Sequence, residues 1–390
     1  RNRSKRREPH NSKQREPRYW HASSHIHTLA SGSTFLLPRT TRGVDRYTAE
    51  FGFELRCCRW AEREWPLEGE RDTAVIVARQ LGTKRRRWDT IVLECDPDGL
   101  HRRANFGPDR LDGTLLYVLR HAPTEWAFYR DELPHPGYPW RYVREAIHEA
   151  ADRGIVETRK RANRIEIRRK WAYPDWLERI VAIENKPDLD ASAARNLASQ
   201  LEYDVAMALA DEVWVATRQT DGLASPALFE GLPVEAGVLA LEPDALSASV
   251  EWYPRSLAVE TPGTRILERP SGSGRDVSAA QFEYVDPNAK ATTRLEIAER
   301  AYERGWRSYV DTMRPDCRHF ELRATDGMQA LPFCRANDRG QTATECAGSC
   351  GEFEPEPPAW RIRGWPIEGG PGVGCKRLLE RRRRQRRPGQ

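Results

Sequence analysis

Long apolar runs are missing from this 390-residue chain. No stretch approaches the roughly 18 consecutive apolar residues of a membrane-spanning helix, so none is expected. The basic N-terminal segment has no apolar stretch behind it, so no secretory leader is expected, and the chain reads as cytoplasmic. Without a secretory route, the eight cysteines do not read as a disulfide framework, and metal binding is their expected use. No internal repeat is visible, so the chain is not a stack of like units. Lysine is scarce, 8 of 63 basic residues, a bias toward arginine that points to a GC-rich genome.

What is present is charge, unevenly spread. The net +5 hides two basic ends: residues 1–46 carry +8 and residues 376–390 carry +7, which leaves 47–375 at −10. Such blocks are expected to be disordered arms, here 1–46 and 361–390, and an acidic body hints at a halophile. The run Arg381 to Arg387 suits phosphate contacts without base reading.

Between the arms the periodicity alternates. A helix is expected from about Thr48, with Phe51, Leu55, Cys58 and Ala61 at 3–4 spacing and Glu54 on it. Residues 73–79, 87–95 and 180–185 read as strands. Asp190 is placed to cap a helix of about 20 residues whose stripe is Leu197, Leu201, Val205 and Leu209. Strands follow at Val213–Thr217 and Val238–Leu241. Residues 97–175 interrupt this order. There the pattern predicts helices over Thr124–Leu133 and Pro139–Arg153, then a hairpin, 155–159 and 164–168, around Lys160-Arg161-Ala162-Asn163. Helix, helix and basic hairpin is the grammar of a winged helix, with Arg159, Lys160, Arg161 and Arg164 as a DNA-contacting tip; a plain α+β insertion with a solvated hairpin is the other reading. Residues 243–310 form a connector ending in a helix, 289–310.

The chemistry concentrates in Ile183-Glu184-Asn185-Lys186-Pro187-Asp188, which closes the apolar run from Ile180. Residues two apart on a strand share a face, so Glu184 and Lys186 are expected side by side. Burying them costs several kcal/mol unless something compensates, and a divalent metal with a phosphate would do so. Asp89, in Trp88-Asp89-Thr90-Ile91-Val92-Leu93-Glu94, puts a second carboxylate at the mouth of another strand. Phosphodiester hydrolysis needs an activated water and a cation on the developing charge. Oxygen ligands suit Mg²⁺ or Mn²⁺. The Ile183 carbonyl is a candidate third ligand, and Lys186 is placed to orient the water or neutralise the phosphate. A surface ion pair and a turn aspartate are the non-functional readings of the same residues.

On Asp89 and the Glu184-Asn185-Lys186 triplet, the chain resembles the PD-(D/E)XK nuclease superfamily, and within it a haloarchaeal branch with a winged-helix-like insertion. Glu54 matches the acidic position on that family's first helix, and Gln200 a glutamine on the helix after the triplet. The resemblance spans about 47–242. It departs in Trp88, where a proline is usual, and in the long gap between Asp89 and Glu184, which the insertion 97–175 would have to loop out. It implies an α/β fold with a restriction-endonuclease-like mixed sheet flanked by helices. It also implies metal at Asp89 and Glu184, Lys186 as catalytic lysine, and a metal-dependent DNA endo- or exonuclease in repair or defence. A non-catalytic winged-helix DNA-binding regulator on a decayed nuclease core is the competing reading. Oligomeric state stays open.

A second cluster lies in 311–360. Cys317, Cys334, Cys346 and Cys350 are separated by 16, 11 and 3 residues, and the last pair resembles a metal-binding knuckle. Zinc held by four thiolates would staple a segment with few apolar residues. An iron–sulfur cluster and unliganded thiols are the alternatives. Cys57, Cys58 and Cys95 read as core cysteines, and His319 as an alternative ligand.

Overall fold

The computed structural model describes residues 50–67, 73–219, 230–242, 247–268 and 281–311, most of 313–355, and three positions between 377 and 381. The expected basic arms, 1–46 and most of 361–390, fall outside the described residues, as does Cys375.

The centre is a six-stranded mixed sheet in the order β1-β2-β6-β7-β8-β9. Its strands are β1 (Ala74–Gly82), β2 (Arg87–Cys95), β6 (Leu177–Asn185), β7 (Glu212–Arg218), β8 (Gly237–Glu242) and β9 (Ser247–Trp252). The pairs β6–β7 and β7–β8 are parallel and the other three antiparallel. The central strands are apolar at nearly every position because both faces are covered. Val92, Val181 and Ile183 pack with α1 (Glu50–Glu64) through Phe53, Leu55, Cys57 and Cys58. Ile91, Leu93, Ile180 and Ala182, of opposite parity, pack with α6 (Ala191–Met207) and α7 (Pro287–Arg304) through Leu197, Leu201, Ile297 and Ala301. Cys57, Cys58 and Cys95 are buried, as expected.

Asp190 caps α6, its carboxylate accepting from Ala193 N at 2.7 Å. The buried stripe runs through Ala194, Leu197, Leu201, Asp204 and Met207. The expected stripe is therefore corrected at two positions: Val205 is only half-buried while the polar Asp204 turns inward, and Leu209, though buried, lies beyond the helix end at Met207. The helix expected at 289–310 is also corrected. It occupies Pro287–Arg304, stops at Gly305 with φ 58°, and gives way to a 3₁₀ segment, Trp306–Asp311.

Between β2 and β6 the chain forms a unit with its own core. It contains α2 (Pro97–Ala104), α3 (Gly113–His121), β3 (Ala127–Phe128), the single turn α4 (Tyr129–Glu132), α5 (Trp140–Asp152), β4 (Val156–Arg161) and β5 (Arg164–Arg169). Leu115, Leu119, Val143, Ile147, Ile155 and Ile167 meet in its interior. The hairpin turns tightly over Ala162 and Asn163, at φ 46° and 62°, the left-handed pair that a two-residue turn needs. The helix expected over Thr124–Leu133 is not formed. Ala127 and Phe128 instead pair with Ile167 and Glu166 as a third strand, and only 129–132 is helical. Helices α2 and α3 went unrecognised in the sequence because their caps, Asp96 and Asp112, sit among Pro and Gly that read as loop.

The remaining strands lie outside these two units. The strands β10 (Gly263–Glu268) and β11 (Gln281–Val285) form a separate ribbon, and β12 (Phe320–Thr325), β13 (Met328–Cys334) and β14 (Arg339–Gly340) a small sheet. Among the described residues no helix is long and apolar enough to cross a membrane.

One buried ion pair ties the inserted unit to the sheet layer. Glu299 of α7 accepts from Arg103 of α2 at 2.7 and 2.5 Å, from Tyr173 Oη at 2.6 Å and from Leu111 N at 2.9 Å. Both charged side chains are wholly inaccessible. Removing one partner strands the other charge. Glu299→Ala should therefore cost about 3–5 kcal/mol in denaturant unfolding, while Glu303→Ala, on the same helix but half-exposed, should cost far less.

Candidate active site

The paired register of β2 and β6 ends at Thr90↔Ile183, and the next residues out on the two strands are Asp89 and Glu184, close enough for the Asp89 charge to act on Glu184. Asp89 Oδ2 accepts from the Asn185 backbone N at 3.0 Å, and Oδ1 from Gln80 Nε2 at 3.0 Å. Glu184 has the strand parity of Ile180 and Ala182, which places it on the α6 face. Asn185 turns the other way, its Nδ2 donating to Thr90 Oγ1 at 3.0 Å beneath α1. This alternation puts the buried Glu184 carboxylate and the buried Asn185 amide on opposite faces of the sheet.

The expectation that Glu184 and Lys186 share a face needs correcting. Lys186 lies one residue beyond β6, its backbone N held by Ala216 O at 2.8 Å, and its Nζ donates to Glu50 Oε1 at 2.8 Å, at the start of α1. It still feels Asp89 and Glu184. Burial pulls its pKa down, but the Glu50 hydrogen bond and the charges of Glu50, Asp89 and Glu184 outweigh it, and the net shift is upward.

Glu54 stands behind Asp89. Its carboxylate takes Arg79 Nε and Nη2, each at 2.9 Å, and Gln80 Nε2 at 3.0 Å. Gln80 thus bridges Glu54 and Asp89, and it does so with φ 51°, a costly conformation for a non-glycine residue inside a strand. Burial, opposed by Arg79, raises the Glu54 pKa. Gln200 is exposed on α6 and is not drawn into this group. Its place is taken by Asp204, one turn further on and 2% accessible.

Arg86, which the sequence motif does not include, joins Asp204 to Glu184. It lies in the turn between β1 and β2, where Thr83 Oγ1 accepts from Arg86 N at 3.1 Å. A Cβ on Gly82 would sit 2.2 Å from the Arg86 carbonyl, so this turn closes only over glycine. Within Lys84-Arg85-Arg86-Arg87 nothing distinguishes Arg86 from its solvated neighbours; only the tertiary contact does.

Counted together, Glu50, Glu54, Asp89, Glu184 and Asp204 face Arg79, Arg86 and Lys186. With all five carboxylates ionised, they exceed the three cations by two negative charges, which one divalent cation would balance. Burial, with Asp89 adding to it, pushes the Glu184 carboxyl up to about 8 despite Arg86.

Half of the expected basic tip is paired with acids. Arg159 Nε donates to Glu166 at 2.6 Å and stacks on Trp126, and Arg164 lies 3.9 Å from Asp131. Lys160 and Arg161 are exposed, and Arg161 sits directly across from Arg164, a like-charge pair at the turn. The four cysteines expected to act together line one small cavity with Phe320, Phe333 and Gln341. Burial first, then the neighbouring Cys334, Cys350 and Cys317, pushes the Cys346 thiol up to about 12. Among the described residues no three His, Cys, Asp or Glu side chains are arranged to hold a metal ion by themselves.

A family profile described as "Family of unknown function (DUF5787)" matches residues 76–355. No curated protein and no solved structure matches the chain.

The site makes a stability prediction. Glu184 has an ordinary value of 4.5 and a folded value of about 8. The unfolded chain therefore ionises it first, and stability is lost as pH rises between those values. Glu184→Gln should melt higher than the parent protein at pH 9, with the difference shrinking toward pH 5 in differential scanning calorimetry.

Proposed function

The chain belongs to the DUF5787 family, and from the site it carries we propose that it is a metal-dependent deoxyribonuclease of the PD-(D/E)XK kind, with a restriction-endonuclease-like core. The observation that supports this most is the juxtaposition of Asp89 and Glu184 at the ends of β2 and β6, in a group of side chains two positive charges short of neutrality when every carboxylate is ionised. Oxygen donors of this type fit Mg²⁺ or Mn²⁺, with the Ile183 carbonyl as a candidate further ligand. When bound, such a cation lowers the pKa of a coordinated water and stabilises charge on the phosphoryl oxygens.

The chain's own residues do the rest. Asn185 N and Gln80 hold the two Asp89 oxygens, so that carboxylate needs no reorientation. Glu54 acts behind it, through Gln80, and its own oxygens are occupied by Arg79. Lys186 exchanges Glu50 for the scissile phosphate or the attacking water. Gln200, exposed on α6, is left for a contact with the nucleic acid itself.

In the inserted unit, α3 and α5 followed by the β4–β5 hairpin support a winged-helix-like reading. The Arg161–Arg164 pair supports an anionic partner, since like charges directly opposite one another are unfavourable without one. DNA phosphates would relieve that repulsion. The small β12–β13–β14 sheet supports a cysteine module. Cys317, Cys334, Cys346 and Cys350 surround a common cavity there, and their sulfurs suit zinc or, alternatively, an iron–sulfur cluster.

Labelled single-stranded, duplex and branched DNA, incubated with Mg²⁺, Mn²⁺ or EDTA at several KCl concentrations, tests the reading. Cleavage is expected with metal and not with EDTA. Asp89→Asn and Glu184→Gln should abolish it while leaving DNA binding intact or tighter, and Lys186→Ala should lower the rate at least tenfold. Reversal of Lys160 and Arg161 to Glu should weaken binding at low salt. Tight DNA binding with no cleavage of any DNA form would instead identify a regulator on a decayed core.

Elemental analysis of protein purified without chelators is expected to find one zinc, or stoichiometric iron, per chain, lost in Cys346→Ser. Finding neither metal would overturn the cysteine module.

A further inference from the structure

Arg86 does more than sit beside the proposed metal ligands. Its Nη2 lies 2.6 Å from Glu184 Oε1 and 2.7 Å from Asp204 Oδ2, its Nε lies 2.9 Å from both Asp204 oxygens, and its Nη1 donates to the Arg87 carbonyl at 2.8 Å. All three side chains are almost closed to solvent, at 10%, 5% and 1% accessibility. An acid buried between Leu201 and Met207 on the core face of a helix is a poor way to gain stability. An apolar residue of similar size would serve at least as well. What Asp204 achieves instead is orientation. Two of its contacts fix the guanidinium plane, and that plane then delivers one N–H to one oxygen of Glu184.

We infer that Arg86, anchored by Asp204, is the positioning residue of the metal site: it pins Glu184 Oε1 and leaves the second oxygen of that carboxylate to share a cation with Asp89. Asp204 acts only through Arg86. The β1–β2 turn thereby becomes part of the site although it carries no ligand, which gives Gly82 and Thr83 a functional reason to be there. The inference rests on the nuclease reading and adds to it a residue pair outside the carboxylate–lysine motif.

Mn²⁺ binding to the full chain, followed by electron paramagnetic resonance without DNA, tests this directly. Arg86→Met should weaken Mn²⁺ binding about tenfold, and Asp204→Asn severalfold in the same direction. The double variant should be no weaker than Arg86→Met alone, because the two residues act in series. Arg86→Lys, which keeps the charge but cannot span both acids, should recover part of the loss. Melting curves check that each variant is folded; if Arg86→Met is not, the isosteric Asp204→Asn decides the matter by itself. Unchanged Mn²⁺ affinity in the folded variants, or losses that simply add, would overturn the inference while Asp89→Asn and Glu184→Gln still abolish binding. Mn²⁺ binding that survives Asp89→Asn and Glu184→Gln would overturn the metal site on which it rests.

Discussion

The antiparallel pairing of β2 with β6 is the constraint on which the rest depends. It brings Asp89 next to Glu184 across a long insertion, and it fixes which way Glu184 and Asn185 point. A one-residue slip would exchange Glu184 with Asn185, sending the charge under α1 and the amide to the α6 face. The register is protected against that slip by apolar side chains on both faces, Ile91 and Leu93 on one and Val92 on the other. The same burial that holds the register makes the strand-end charges expensive. The sheet therefore creates both the site and its electrostatic problem.

The surrounding residues answer that problem with a graded set of partners. Glu54 is fully matched by Arg79, Asp204 and Glu184 share Arg86, and Asp89 receives only neutral donors. Compensation is least complete at Asp89, which has no cation of its own among these contacts. A pocket built for stability alone would have closed the deficit, as Glu299 and Arg103 do between α7 and α2 with no exposure at all.

That second ion pair shows how the insertion is carried. The unit between β2 and β6 has its own interior, yet it is held through Arg103 and Tyr173 to a helix that follows the whole sheet in sequence. The hairpin tip is thus attached to the same framework as the strand ends, and its orientation does not depend on the two connecting segments alone.

Local patterning by itself determined five of the six strands of the central sheet, the first helix, the cap at Asp190, the basic hairpin and the candidates Asp89, Glu184 and Lys186, because period-2 and period-3.6 burial and short-range capping are written in neighbouring residues; β9 and the strands from β10 onward were not legible there. It also determined that four cysteines in the C-terminal part belong to one group. What only the tertiary structure decided is who compensates whom. Arg86 is one of four adjacent basic residues, and only the fold of a glycine-closed turn against α6 selects it. Asp204 lies a single position from the apolar residue the stripe favoured, and a helix packed on a twisted sheet shifts its buried face by that much. Thr124–Leu133 carries helical spacing, yet pairing of Ala127 and Phe128 with β5 overrides it. In each case the deciding energy comes from a partner distant in sequence, and no window of neighbouring residues contains it.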